Sequence, residues 1–93
     1  VGRLTQKLEE WGIQDNTIVI FMTDNGPNTR RYVGAMRGMK GQTHDGGIRT
    51  SFFIRWPRQI KAGLASDVPV AHIDLMPTLL AAAGVGLPTY RTI

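Results

Sequence analysis

Thr17-Ile-Val-Ile-Phe-Met22 runs directly into Thr23-Asp24-Asn25-Gly26-Pro27. The first six residues are β-branched or large and apolar, the composition of a buried strand. An apolar run without alternation predicts burial on both faces, as in a parallel sheet. At the carboxyl end of this strand stand a carboxylate and a carboxamide side by side. In α/β proteins ligands bind in the crevice beyond the carboxyl ends of the strands. Asp and Asn oxygens are hard donors that suit calcium or magnesium. The junction therefore reads in two ways: half of an oxygen-ligand metal site, or an Asp-Asn-Gly turn that needs no metal.

Upstream of the strand, Val1, Leu4, Leu8 and Trp11 fall at helical spacing, with Arg3, Lys7, Glu9 and Glu10 on other faces. This predicts an amphipathic helix, capped at its C-terminus by Gly12. A helix, a turn at Asp15-Asn16 and a buried strand make half of a βαβ unit, and hence an α/β class. Downstream, residues 24–50 carry no regular periodicity and are rich in glycine and basic residues. A loop of that length inside a domain is functional or disordered, and its varied composition favours function. Ser51-Phe-Phe-Ile-Arg-Trp56 predicts a second strand closed by Pro57. Val68-Pro-Val70 reads as a short edge piece. Asp74 is placed to cap a helix through Pro77, Leu79, Leu80 and Ala83 that ends at Gly84.

The chain has 93 residues, enough for one small domain. It is 42% hydrophobic and 19% charged, a globular balance. No apolar run reaches the ~20 residues of a membrane helix. The absence of cysteine excludes a cysteine nucleophile or a thiolate metal site within these residues. Val1 opens the chain with a helix pattern already under way, and Ile93 closes it without an ordered tail. Both ends read as cut, so the expectation is a single domain, residues 1–93, truncated on both sides. The net charge is +4, and between Asp24 and Thr50 it is concentrated in Arg30, Arg31, Arg37, Lys40 and Arg49 against Asp24 and Asp45. Such a segment attracts phosphate, sulfate or nucleic acid.

Four blocks, taken in order, resemble the sulfatases of the alkaline-phosphatase superfamily. They are the strand ending Thr23-Asp24-Asn25-Gly26; Arg37-Gly38-Met39-Lys40-Gly41 with Asp45-Gly46-Gly47-Ile48-Arg49; the strand ending Arg55-Trp56-Pro57; and His72-Ile73-Asp74-Leu75-Met76-Pro77-Thr78-Leu79-Leu80, closing on Ala83-Gly84. Together they cover nearly the whole chain. Pro88 through Arg91 to Ile93 resembles the approach to an Asp-Gly pair common in the family. The resemblance implies the later part of the catalytic domain: a piece of an alkaline-phosphatase-like α/β sandwich with a mostly parallel central sheet flanked by helices.

It also implies roles. Asp24 and Asn25 would be two calcium ligands, the others being an Asp pair on an upstream strand. Lys40, otherwise read as a solvated surface lysine, would contact the sulfate and stabilise transition-state charge. Gly38 and Gly41 would let the backbone approach the site. His44 is read from its place in the same loop, not from the resemblance, as a substrate contact; His72, before a helix cap, is read as structural or marginal. Arg37 and Arg49 are read as structural, Arg49 bridging to a carboxylate, with Asp45 a partner or cap. Trp11, Phe52, Phe53 and Trp56 are read as core. The family's nucleophile is a formylglycine made from Cys or Ser in Cys/Ser-x-Pro-x-Arg; neither Ser51 nor Ser66 begins such a motif. The isolated 93 residues are therefore expected to hydrolyse nothing and to bind calcium weakly.

The implied substrate is an aryl or carbohydrate sulfate ester, with no nucleic-acid partner and no membrane segment. The compartment is left open among periplasmic, secreted and lysosomal. Asp45 stands where the family has Glu, His44 where it often has an aromatic, and Thr50-Ser51 where it has Val-Pro, which leaves substrate preference open. Competing readings are a phosphoester or phosphonate hydrolase of the same superfamily, an inactive relative, and a basic nucleic-acid-binding module. Against the last, Tyr32 is the single aromatic of the basic loop, and stacking platforms need more.

Overall fold

The computed structural model describes residues 1–86, so the expectation for Pro88 to Ile93 lies outside the described residues. Helix α1 spans Gly2–Glu10 and strand β1 Val19–Met22. A single helical turn, α2, covers Asp45–Ile48, strand β2 Phe52–Arg55, and helix α3 Leu75–Ala82. Short 3-10 turns stand at Gln14–Asn16, Arg30–Tyr32 and His72–Asp74. Both predicted strands are present but shorter than their apolar runs. No strand is assigned at Val68-Pro-Val70.

Both long helices end as their glycines predict. Gly12 takes φ +67°. Its N–H donates to the Glu9 carbonyl at 2.9 Å, and the Ile13 N–H donates to that of Leu8 at 3.1 Å. Gly84, at φ +70°, does the same for α3, with the Val85 N–H on the Leu80 carbonyl. This paired pattern satisfies carbonyls that the last turn would otherwise leave open. Gly12→Ala places a Cβ in the left-handed region and is expected to cost about 1 kcal/mol, read as a lower midpoint in a urea titration. Asp74 does not cap α3 with its side chain. Its carboxylate instead accepts from the Ala71 N–H at 2.8 Å, closing the preceding turn.

β1 and β2 pair antiparallel, in the register Val19↔Arg55 to Met22↔Phe52. The apolar run of β1 predicts a parallel neighbour, but parallel pairing needs a crossover. Here residues 23–51 turn back on themselves at one end of the pair, and antiparallel pairing follows. Two strands do not fix the direction of a larger sheet. At the opposite end, the Gln14–Asn16 turn is tied to the end of β2. Arg55 Nη2 donates to Gln14 Oε1 at 2.9 Å, and the Arg58 N–H donates to the Asp15 carbonyl at 3.0 Å.

The hydrophobic core of the described residues is Leu8 and Val33. Trp11 and Phe53, read from the sequence as core, are 67% and 65% exposed, while Phe52 and Trp56 are half-buried. The cause is layering: a two-stranded sheet has two faces and needs a packed layer on each. Among the described residues, the element packed against α3 is the His72–Asp74 turn, and α1 packs on Gln14–Asn16. The result is a slab 45 × 42 × 20 Å with a radius of gyration of 16.5 Å. A compact domain of this length would have about 12 Å.

Candidate active site

The segment between the strands is ordered by its main chain. The Gly26 N–H donates to the Gly47 carbonyl at 2.8 Å, and the Gly46 N–H donates to the Arg37 carbonyl at 2.8 Å. The Lys40 N–H donates to the Pro27 carbonyl at 2.9 Å. These bonds bring residues 26–27, 37–42 and 44–47 together through main-chain atoms, and the Met39 N–H adds a bond to Gln42 Oε1 at 3.1 Å. A Cβ on Gly26 would overlap the Gly46 carbonyl oxygen; one on Gly46 would overlap that of Gly38; one on Gly47 would overlap that of Gln42. Glycine is thus required at all three positions by backbone proximity. Gly38, at φ +92°, lies close enough to His44 that a Cβ would stand 2.8 Å from the His44 Cβ.

This interlock positions the residues singled out in the sequence. Asp24 and Asn25 follow β1 directly; Asp24 is exposed and Asn25 half-buried. Lys40 is exposed, with its amide bonded to the segment that begins at Asp24. His44 is exposed, and its carbonyl accepts from the Gly47 and Ile48 N–H groups as α2 begins. The main chain therefore links the loops bearing Asp24, Asn25, Lys40 and His44. No carboxylate pairs with Arg37, Lys40 or Arg49 among the described residues, where Lys7–Glu10 is the ion pair. The bridge expected of Arg49 is thus not made there, because neither carboxylate of the loop faces it closely enough. His72, read as structural or marginal, reaches the site's edge: its Nε2 lies 3.3 Å from the Thr23 carbonyl.

Beside Asn25 lies an open concavity of about 580 Å³, walled by Thr23, Tyr32, Met36, Arg49 and Ser51. Tyr32 and Met36 had no assigned part in the sequence reading. The available signal was their isolation: they are large side chains in a loop otherwise made of glycine, polar and basic residues. A second concavity, at Asp15, Asn16, Pro57 and Arg58, lies at the other end of the strand pair, away from Asp24.

Asp24 and Asn25 offer a carboxylate and an amide oxygen, a donor set that fits calcium. Two such residues cannot complete its six to eight oxygens. Among the described residues, no group of three or more His, Cys, Asp and Glu is arranged to hold a metal.

The sulfatase family model matches residues 1–85. This chain belongs to the sulfatase family. It is 36% identical to the steryl-sulfatase of Rattus norvegicus, with all of the chain aligned, and 39% identical to the arylsulfatase A of Homo sapiens, over 95% of it. It is 35% identical to the N-acetylgalactosamine-6-sulfatase of Mus musculus, over its whole length. The chain spans 18% of the length of the first two relatives and 19% of the third. Membership brings the alkaline-phosphatase-like α/β fold of the sulfatases. The alternation α1, β1, α2, β2, α3 is of that class. No helix of the described residues is long and apolar enough to cross a membrane.

Proposed function

We propose that these residues are the later part of a single catalytic domain in a calcium-dependent, formylglycine-type sulfatase that hydrolyses sulfate esters. The observation that carries this reading is the main-chain interlock that links Asp24-Asn25, at the end of β1, to Lys40. Two further features support a larger parent. Apolar residues such as Trp11, Phe53 and Ile73 stand exposed. Arg55 Nη1 and Trp56 Nε1 are buried without a partner among the described residues, an arrangement that costs about 1–3 kcal/mol per group unless a further layer supplies acceptors.

In this reading Asp24 and Asn25 would hold the calcium ion together with ligands from elsewhere in the parent. A bound divalent cation polarises the sulfuryl oxygens and lowers the pKa of the nucleophile. The formylglycine nucleophile would come from outside these residues. Lys40 Nζ, a compact cation with no carboxylate partner among the described residues, would bind a sulfuryl oxygen and stabilise the charge that grows as the S–O bond to the leaving group breaks. His44, at the turn into α2, would contact the ester from the same loop. The positive charge of the loop then serves an anionic substrate, not nucleic acid.

The test is steady-state hydrolysis of an aryl sulfate by the full-length parent, with and without calcium. Activity that depends on calcium is expected. Lys40→Ala should lower kcat by about 10²–10³-fold, the usual effect of losing one preorganised charge-stabilising group. Lys40→Arg should recover only part of it, since the guanidinium is larger and planar. A Lys40→Ala enzyme with full kcat would remove Lys40 from the mechanism. The 93-residue chain alone should show no turnover.

A further inference from the structure

We propose that His72 is a positioning residue of this site: its ring holds the Thr23 carbonyl and so fixes the peptide plane that leads into Asp24 and Asn25. The proposal rests on the reading of those two residues as calcium ligands and adds to it a tie that reaches them from the α3 segment.

Asp24 and Asn25 lie between two anchored points of the main chain. Upstream, the Thr23 N–H donates to the Ser51 carbonyl at 3.4 Å. Downstream, the Gly26 N–H donates to the Gly47 carbonyl at 2.8 Å. The upstream bond is the longer of the two, and it does not hold the carbonyl side of Thr23. That carbonyl shares one rigid plane with the Asp24 N–H. Its direction therefore sets how the chain enters Asp24. His72 Nε2 lies 3.3 Å from this oxygen. A carbonyl only accepts, so Nε2 carries the proton and donates. That proton is present in the imidazolium and in one neutral tautomer, so the tie needs no charge on the ring.

The ring is itself held from behind. The Asp74 N–H donates to the Ala71 carbonyl at 3.0 Å, and the Asp74 carboxylate accepts from the Ala71 N–H at 2.8 Å. These reciprocal bonds close the His72–Asp74 turn. The Leu75 N–H donates to the His72 carbonyl, which joins the turn to α3, and α3 packs against it. His72 and Thr23 stand 49 residues apart, so the contact brings the start of α3 to the end of β1. Both residues are exposed, and water competes for the bond. The expected effect is therefore that of one net hydrogen bond.

The test is calorimetric titration of the full-length parent with calcium. His72→Ala should raise the calcium Kd by roughly three- to tenfold, the effect of losing one such bond. Its unfolding midpoint in calcium-free buffer should move little, since the residue is exposed. His72→Gln keeps an N–H donor on a side chain of similar reach and should recover most of the affinity. The rate of aryl sulfate hydrolysis that His72→Ala loses at limiting calcium should return as calcium is raised; a group acting on the ester itself would not show this. An unchanged Kd in His72→Ala overturns the assignment. So does a Kd in His72→Gln as weak as that in His72→Ala, or a rate that stays low at saturating calcium. A wild-type parent that binds no calcium overturns the calcium reading itself, and this tie with it, a result distinct from any of these.

Discussion

Asp24→Ala in the full-length parent is expected to abolish sulfate ester hydrolysis, a loss of at least ~10³-fold. Removing an ionised calcium ligand takes away several kcal/mol of charge stabilisation, and each 1.36 kcal/mol is about tenfold in rate. The same variant should lose calcium binding in titration calorimetry. Asp24 is exposed and has no ion-pair partner among the described residues. Its replacement should therefore change folding stability by no more than about 0.5 kcal/mol, the usual range for such a surface site. Loss of calcium binding and rate, with an unfolding midpoint that is unchanged in calcium-free buffer and lowered relative to wild type when calcium is present, is the expected result. Full activity in Asp24→Ala would show that the carboxylate is not a ligand.

Gly46→Ala should have the largest effect on stability. Its new Cβ would overlap the Gly38 carbonyl oxygen and stand 2.9 Å from that of Arg37, the acceptor of the Gly46 N–H. Both neighbours are backbone, so no side chain can rotate away. Relief requires the strand-to-strand segment to open, which loses main-chain hydrogen bonds as well. The cost is put at about 3 kcal/mol or more, at the upper end for overpacking. Gly2→Ala is the contrast. Nothing lies within 4 Å of its Cβ position, and it begins a helix. That change should be neutral or stabilising by up to about 1 kcal/mol. Denaturant unfolding of the two parent variants measures the difference. Equal midpoints would mean that the glycine contacts carry no stability.

Local structure was legible where a single residue type dictates geometry. The glycines at 12 and 84 stop α1 and α3 because only a residue without a Cβ enters the left-handed region freely. The two apolar runs became β1 and β2 because β-branched and aromatic side chains fit a pleated surface. Partner and direction were not legible, because the apolar run of β1 reports burial and not which strand supplies the pairing. The core assignment of Trp11 and Phe53 had a similar limit: apolarity says that a side chain will be covered, but not by which segment. At the site, the Asp24-Asn25 junction was read from side-chain chemistry, and Lys40 from the family resemblance. What joins them is a set of carbonyls and amides, and a main-chain contact leaves no trace in sequence beyond its glycines. Tyr32 was noted in the sequence only as a lone aromatic; its place beside Asn25 depends on how residues 26–47 fold over one another.

The glycine interlock has a consequence for how such an enzyme can diversify. Since main-chain hydrogen bonds hold the Asp24-Asn25 turn against the Lys40 segment, the exposed side chains of residues 28–32 take no part in them. They can be exchanged, lengthened or made polar while the reacting groups keep their spacing. In the proposed reading, the residues that react and the side chains free to vary thus sit on separate parts of one loop.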